Sequence, residues 1–163
     1  MNKIAIYIIL FFICFTYNIN LKEDNFYAIF KDYTNISFCY VFDKKLFSIE
    51  DEIMRKNTSG MFFQKNGTKN MLYFKKGTKN ILKSVPEYYQ AKYYATFKNL
   101  ILTIKSLKLN IIEQDNIDGR LIIYAYSPFW KNFKIVKNKK VNFQFAFYDN
   151  VVTVGHPMIY YSF

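Results

Sequence analysis

The carboxy-terminal third of the chain is a succession of short apolar segments separated by polar turns, and this pattern constrains the fold more than any other feature of the sequence. Segments rich in β-branched and aromatic residues each predict a β-strand, and they are residues 110–114, 120–127, 131–136, 141–148 and 151–155. Short turns join antiparallel strands, whereas parallel strands need long crossover connections. The sequence therefore predicts an antiparallel sheet in this region.

The strand predicted at 141–148 alternates cleanly, and the alternation assigns its side chains to two faces. The face that we assign to the core consists of Val141, Phe143, Phe145 and Phe147. The opposite face is of mixed polarity, is compatible with contact with solvent, and consists of Asn142, Gln144, Ala146 and Tyr148. The dipeptide Asp149-Asn150 predicts a tight hairpin turn into the last strand.

One long helix is predicted before these strands, over residues 87–107. Its apolar residues recur at a period of 3.6, and they are Tyr93, Phe97, Leu100, Ile101, Ile104 and Leu107. Such a stripe is typical of a helix that covers a sheet. A helix packed on an antiparallel sheet predicts the α+β class.

The first half of the chain predicts shorter elements. Residues 22–33 have helical spacing and residues 36–42 predict a strand. Ser48 opens a capping box, which predicts a short helix to about residue 56. Residues 61–80 contain a unit that is repeated at once, and Asn66-Gly67 within it indicates a β-hairpin.

The composition narrows the class of protein and the kind of chemistry. With 52% hydrophobic residues, 5 Gly and 3 Pro among 163 residues, the chain is neither disordered nor collagen-like. Cys14 and Cys39 are too few for a disulfide scaffold or a thiolate zinc site, and the single histidine, His156, excludes a mechanism that needs a histidine pair. The sequence has no recognisable hydrolase, metalloprotease or nucleotide-binding motif. We predict no catalytic residue, metal or cofactor; a Cys39–His156 dyad would require the fold to bring the two residues together.

The chain is strongly basic, with 23 Lys and Arg against 12 Asp and Glu and a net charge of +11. Arg55 and Arg120 are the only arginines, whereas a protein that reads phosphates or bases usually relies on the bidentate guanidinium group. Two interpretations stay open. The lysines reflect the codon bias of an AT-rich genome, or they attract an anionic partner such as lipid headgroups, wall polymers or nucleic acid.

One basic stretch is predicted to contact an anionic surface, and its members are Lys131, Lys134, Lys137, Lys139 and Lys140. The alternative is that these lysines protect turns and strand edges from edge-to-edge association. If they form a docking face, reversing Lys137, Lys139 and Lys140 to Glu is expected to lower sedimentation with anionic vesicles and to leave the fold unchanged.

Residues 1–16 differ from the rest of the chain. Lys3 precedes an uninterrupted apolar run, residues 4–15, which suits a signal-peptide core and is short for a spanning helix of roughly 20 residues. We expect residues 1–16 to be a signal peptide or an uncleaved N-terminal anchor; a buried first strand or helix is the alternative. Residues 17–163 are expected to form a single domain with two halves, about 21–85 and 86–163.

Three motifs near the carboxy terminus share the order and spacing of one family. They are Tyr126-Ser127-Pro128, Asn142-Phe143-Gln144-Phe145-Ala146 and Gly155-His156-Pro157-Met158-Ile159. On these motifs the chain resembles the YwmB-like family, although it is shorter and its last hairpin turn is trimmed. The resemblance implies an exported protein of low-GC Gram-positive bacteria with a TATA-box-binding-protein-like fold, in which helices cover one face of a curved antiparallel sheet. The motif positions are Tyr126, Ser127, Pro128, Asn142, Gln144, Ala146, Gly155 and Pro157.

These observations favour a non-enzymatic protein of the cell envelope, secreted or held at the outer face of the cell membrane. It is expected to bind a protein partner or an anionic surface component through its sheet face and lysine-rich turns. Two alternatives stay open: a nucleic-acid-binding module, and an envelope hydrolase or transferase. The leader argues against promoter DNA as the ligand. A duplex binder should lose affinity steeply as salt rises, and undetectable DNA binding at about 50 mM salt would remove the first alternative. A structure with no pocket lined by two convergent titratable groups would remove the second.

Overall fold

The computed structural model describes residues 25–43, 61–66, 68–75 and 86–160. Within these ranges the helices are α1 (Asn25–Phe30) and α2 (Phe97–Ser106). The strands are β1 (Ser37–Asp43), β2 (Met61–Asn66), β3 (Lys69–Lys75), β4 (Tyr88–Tyr94), β5 (Asn110–Ile117), β6 (Arg120–Tyr126), β7 (Lys134–Val136), β8 (Lys139–Val141), β9 (Phe143–Tyr148) and β10 (Val151–His156). Eight strands form one curved antiparallel sheet in the order β2-β3-β1-β4-β10-β9-β6-β5, and β7 and β8 form a separate hairpin. The predicted α+β class is confirmed.

The sheet consists of two blocks that are each contiguous in sequence. Strands β1 to β3 lie at one end, and the pairing of β1 with β4 joins them to the strands of the second block. The strand predicted at 36–42 is confirmed as β1, and the hairpin predicted in the repeat is confirmed as β2–β3, with Asn66 opposite Lys69. The leader predicted at 1–16 and the helix predicted from Ser48 lie outside the described residues.

One face of the sheet carries the main hydrophobic core, and both helices pack on it. Tyr40 and Tyr89 lie opposite each other in the register of β1 and β4, and their side chains are buried on this face. The buried side chains that the helices add to the same core are Phe26, Phe30, Leu100 and Ile104. Within the described ranges, neither helix covers the other face of the sheet.

The prediction of a helix at 87–107 is wrong for its first part. Tyr88–Tyr94 forms strand β4, and α2 begins only at Phe97. The odd-numbered residues of β4 are buried in the core, so the segment also alternates with a period of two. Tyr93 is a core residue in both patterns. Because β4 pairs with β1 on one side and β10 on the other, sheet pairing overrides the helical pattern. Thr96 then caps α2, accepting a hydrogen bond from a backbone N–H of the first turn at 3.3 Å.

Hairpins of the second half close through two-residue turns, which are Asp118-Gly119, Lys137-Asn138 and Asp149-Asn150. Every residue of these turns has a positive φ, as the type I′ turn requires. The turn predicted at Asp149-Asn150 is confirmed. The turn predicted at 115–119 is shorter than expected, since β5 continues to Ile117.

The face assignment in residues 141–148 is correct for β9 and wrong for Val141. Phe143 and Phe145 are fully buried in the main core, as predicted. Val141 ends β8 and packs on the opposite face of the sheet with Ile122 and Tyr124. A bend at Asn142 separates β8 from β9 and interrupts the alternation, so the two strands present their side chains differently.

Candidate binding face of the sheet

The sheet face opposite the helices is partly covered and partly open. Residues 157–160 run back over Gly155, so that a Cβ added there would clash with the backbone of Met158 and Ile159. The β7–β8 hairpin covers a second area, where Val141 packs on β6. A third area, on β1 and β3, is also buried and contains Cys39, Val41 and Met71. Among the described residues, the part of the face toward the β9–β10 turn is exposed to solvent.

Asn142 joins the ends of β6 and β8 through its side chain, and it is fully buried. Its Oδ1 accepts a hydrogen bond from the Ser127 N–H at 3.0 Å, and its Nδ2 donates to the Ser127 carbonyl at 2.6 Å. Nδ2 also donates to the carbonyl of Trp130 at 3.1 Å. The amide thus satisfies backbone groups that the irregular segment after β6 would leave unpaired in the interior. Asn142 therefore does not belong to the solvent-facing set to which the sequence assigned it.

Three further motif positions hold the carboxy-terminal segment against the sheet. Gly155 allows the backbone of Ile159 to approach closely, because glycine has no Cβ that would clash with it. Gln144 accepts a hydrogen bond from the Ile159 N–H at 3.0 Å, and Gln90 accepts one from the Tyr160 N–H at 2.7 Å. The segment begins at Pro157, which is buried and follows a cis peptide bond.

The remaining motif positions lie apart from this segment. Tyr126 is half-buried at the end of β6, and Pro128 is exposed beyond it. Ala146 lies on the open part of the face, opposite Thr153 of β10. The motif positions are thus brought together mainly as a structural network, and Ala146 alone among them lines the open surface.

His156 lies in the core, where its ring is enclosed by aromatic side chains. Its ring centroid is 4.9 Å from that of Trp130 and 4.9 Å from that of Phe143. Nδ1 donates to the carbonyl of Asn142 at 2.6 Å, and Nε2 has no partner among the described atoms. Burial disfavours the charged ring and lowers the pKa of His156 from 6.5 to about 4. The ring is therefore neutral at physiological pH.

Cys39 and His156 do not form a dyad. Tyr40 of β1 and His156 of β10 both lie opposite Tyr89 of β4, so all three side chains point to the core face. Cys39 is the residue before Tyr40 in β1. Because successive side chains of a strand point to opposite faces, the Cys39 thiol and the imidazole lie on opposite sides of the sheet. Burial raises the pKa of the Cys39 thiol to about 12, which keeps it protonated and unreactive.

Two lysines of the predicted docking face are paired with carboxylates of β5. Lys137 Nζ lies 2.9 Å from Asp115 and 3.5 Å from Glu113, and Lys139 Nζ lies 3.2 Å from Glu113. Hydrogen bonding to Lys139 lowers the pKa of Glu113, and hydrogen bonding to Asp115 raises the pKa of Lys137. Lys139 Nζ also donates to the carbonyl of Ile112 at 3.4 Å, within a β-bulge of β5. Reversing these lysines to Glu would place carboxylates against carboxylates, so it is not a clean test of surface binding.

The other lysines of that set have no carboxylate partner within the described ranges. Lys134 Nζ lies 5.3 Å from the ring centre of Tyr88, and Lys140 Nζ lies 4.8 Å from the ring centre of Phe133. Lys131 is exposed at the base of the hairpin. The predicted basic stretch is therefore divided into a pair that holds the hairpin on β5 and three lysines at the surface.

The open part of the face forms a groove that crosses β4, β10, β9 and β6, which we call the sheet groove. It consists of adjoining depressions of about 430 and 240 Å³ that share Lys92 and Val151. Its principal lining residues are Lys92, Tyr94, Arg120, Tyr148, Val151 and Thr153. Between the strands of the two cations the groove is lined by the short side chains of Ala146, Val151 and Thr153, so an extended molecule can lie close to the backbone of the sheet there.

Cations and exposed aromatic rings converge in the sheet groove. Lys92 on β4 and Arg120 on β6 are separated by β10 and β9, which corresponds to about 14 Å across the sheet. Tyr94 is 56% and Tyr148 57% exposed, and Val151 lies opposite both in the register. Asp149 is an acidic residue at the rim. Positive charge therefore predominates along the length of the groove.

The sequence did not identify this groove, because Lys92 and Tyr94 fell inside the predicted helix. The alternation of residues 88–94 with a period of two is the signal that would have placed both side chains on one face of a strand. In the sequence, Arg120 is distinguished only by the rarity of arginine. Its proximity to Tyr148 depends on the pairing of β6 with β9, which is not a local property of the sequence.

Within the described part of the chain, no group of three or more His, Cys, Asp and Glu side chains is placed to hold a metal ion. Among the same residues, no helix has the length and apolar character needed to cross a membrane. No family model, curated protein or solved structure matches the chain. Membership of the YwmB-like family therefore stays a hypothesis.

Proposed function

We propose that this chain is a non-enzymatic binding protein of the cell envelope and that it holds an extended anionic ligand in the sheet groove. The observation that carries the proposal is the combination of Lys92 and Arg120 with the exposed rings of Tyr94 and Tyr148 on a floor of small side chains. The leader expected at residues 1–16 would deliver the domain to the envelope. In this proposal the fold is TATA-box-binding-protein-like, which the confinement of both helices to one face supports.

An anionic ligand fits the electrostatics of the groove. The net charge of +11 attracts anions over long range. Arg120 presents a planar fork of donors that matches a phosphate group bidentately, whereas Lys92 acts as a point charge. Lys92 and Arg120 lie on strands about 14 Å apart across the sheet, and Arg120 is offset by two residues along its strand from the residue in register with Lys92. This separation suits a polymer that places successive anionic groups along the groove better than a single small anion.

A binding role is favoured over a hydrolase or transferase by the location of the reactive side chains. His156 and Cys39 are the residues best suited to proton transfer and nucleophilic attack, and both are fully buried outside the groove. The titratable residues that line the groove are Lys92, Arg120, Asp149 and the tyrosines Tyr93, Tyr94 and Tyr148, and no His or Cys is among them. The enzyme alternative stays a hypothesis, to be tested with envelope substrates.

The first test measures binding of poly(glycerol phosphate), a phosphodiester polymer of the envelope type, by titration calorimetry. Lys92→Gln and Arg120→Gln are each expected to weaken binding and to reduce the log–log salt slope by about 0.7 per phosphate contact. The matched control is Lys105→Gln, which removes the same charge from the exposed face of α2. Equal binding by all of these variants would contradict the groove as the ligand site.

A second candidate function, binding of single-stranded nucleic acid, is favoured by the exposed tyrosines beside cations. Stacking of a base on an aromatic side chain contributes about 1–3 kcal/mol, so Tyr94→Ala and Tyr148→Ala should weaken binding of an oligonucleotide strongly. Poly(glycerol phosphate) has no bases, and its affinity should be nearly unchanged by the same substitutions. Tighter binding of the oligonucleotide, with dependence on both tyrosines, would replace the envelope polymer by nucleic acid as the ligand.

A further inference from the structure

We infer that the outer face of the β7–β8 hairpin is a second contact surface, which docks on an anionic lipid bilayer. The surface, called here the hairpin contact face, consists of Phe133, Ile135 and Lys140. It is separate from the sheet groove and does not depend on the function proposed for the groove.

The register of the hairpin gives it two different faces. Val136 lies opposite Lys139 and Lys134 lies opposite Val141, and the two valines pack against the sheet beside Ile122. The pair between these, Ile135 and Lys140, must point away from the sheet, because side chains alternate along each strand. The outer face thus consists of side chains that the sheet does not need for its own stability.

Large apolar side chains are exposed on this outer face. Ile135 is 60% and Phe133 42% exposed, although burial of either in the interior would stabilise the fold. Lys140 Nζ lies 4.8 Å from the ring centre of Phe133, so charge and apolar surface are contiguous. Lys131 adds a further positive charge at the base of the hairpin.

The combination of charge and apolar surface selects a lipid bilayer as the partner. A soluble polyanion would neutralise Lys140 and leave Ile135 and Phe133 in water. At an anionic bilayer the ammonium group can reach the headgroup phosphates while its neighbours enter the boundary of the acyl chains. The ion pairs of Lys137 and Lys139 with β5 hold the hairpin in place, so little conformational freedom is lost on docking.

A fluorescent probe on the hairpin distinguishes docking of this face from membrane attachment by the apolar leader. In the full chain carrying Cys14→Ser, an environment-sensitive fluorophore is attached at Ile135→Cys; Cys39 is fully buried and stays unlabelled. The matched control carries the label at Leu102→Cys, since Leu102 is 54% exposed on α2 and faces away from the hairpin. Trp130 emission verifies that each labelled protein is folded.

Vesicles that contain phosphatidylglycerol are expected to shift the emission of the label at 135 to shorter wavelength, whereas phosphatidylcholine vesicles and soluble poly(glycerol phosphate) are not. Lys140→Gln should raise the lipid concentration at half-maximal shift about fivefold, and Phe133→Ser about tenfold. Lys105→Gln and the groove variant Arg120→Gln should leave this lipid concentration unchanged. The binding test of the groove and the lipid test of the hairpin can therefore fail independently. No shift at 135, an equal shift at 102, or an equal shift with the soluble polymer would each overturn the inference.

Discussion

His156 makes the stability of this fold depend on pH in a range where few other groups titrate. The pKa of the ring is about 4 in the folded chain and 6.5 in the unfolded chain. Because the folded pKa is the lower one, the unfolded chain binds a proton between pH 6.5 and 4 that the folded chain does not bind. The contribution to stability is therefore complete above about pH 6.5 and is lost as pH falls from 6.5 to 4. The full loss below pH 4 is about 3 kcal/mol, and about 2 kcal/mol is already lost at pH 5.

The assay is urea denaturation between pH 7 and pH 4.5, monitored by the fluorescence of the single tryptophan, Trp130. His156→Gln is the reference variant, because a glutamine amide can donate to the Asn142 carbonyl and does not titrate. The variant should be less stable than the wild type at pH 7, and the difference should shrink toward pH 4.5. Since His156 is the only histidine, carboxylates are the other side chains that begin to titrate in this range, and they are common to both proteins.

A parallel loss of stability in the two proteins would refute this reasoning. It would mean that the buried imidazole does not take up its proton on unfolding in this range. A pKa near 6.5, measured by NMR for the folded His156, would refute it equally, because it would require a solvated ring where the structure has rings of Trp130 and Phe143.

Further predictions concern the polar network and the carboxy-terminal segment. Asn142→Ala should lower the free energy of unfolding by about 3 kcal/mol, because it removes the side-chain partner of the Ser127 N–H and of the Trp130 carbonyl; a loss below about 1 kcal/mol in urea titrations would argue against the network. Gly155→Ala should cost about 1–3 kcal/mol, since the new Cβ meets the backbone of Ile159. In that variant the amide of Ile159 should exchange with deuterium faster, and unchanged protection would be the contrary result.

The sheet of the second half could be predicted from the sequence because its signals are local. Alternation in 143–148 and the dipeptide Asp149-Asn150 specify a strand and a turn within a few residues. Strand β4 could not be predicted in the same way. Tyr93 satisfies both a helical and an extended pattern, and the choice between them is made by β10, which lies far along the chain.

The candidate site was predicted less well than the fold, since it depends on contacts between distant segments. The basic stretch at 131–140 is evident in the sequence, but its pairing with Glu113 and Asp115 follows from how the hairpin folds over β5. Asn142 had the spacing of a solvent-facing residue and is buried because the chain bends there. Composition and periodicity do not predict such bends. The hydrogen bonds of Asn142 with Ser127 and Trp130 therefore could not be predicted from the sequence.

The bulge in β5 has a consequence for the behaviour of the protein in concentrated solution. A terminal strand with regular, unoccupied carbonyl and amide groups would act as a template on which a second molecule could continue the sheet. Here the ladder is interrupted between Ile111 and Glu113, and the ammonium group of Lys139 already occupies the carbonyl of Ile112. An incoming strand would meet an irregular, charged margin, which disfavours continuation of the sheet from this edge.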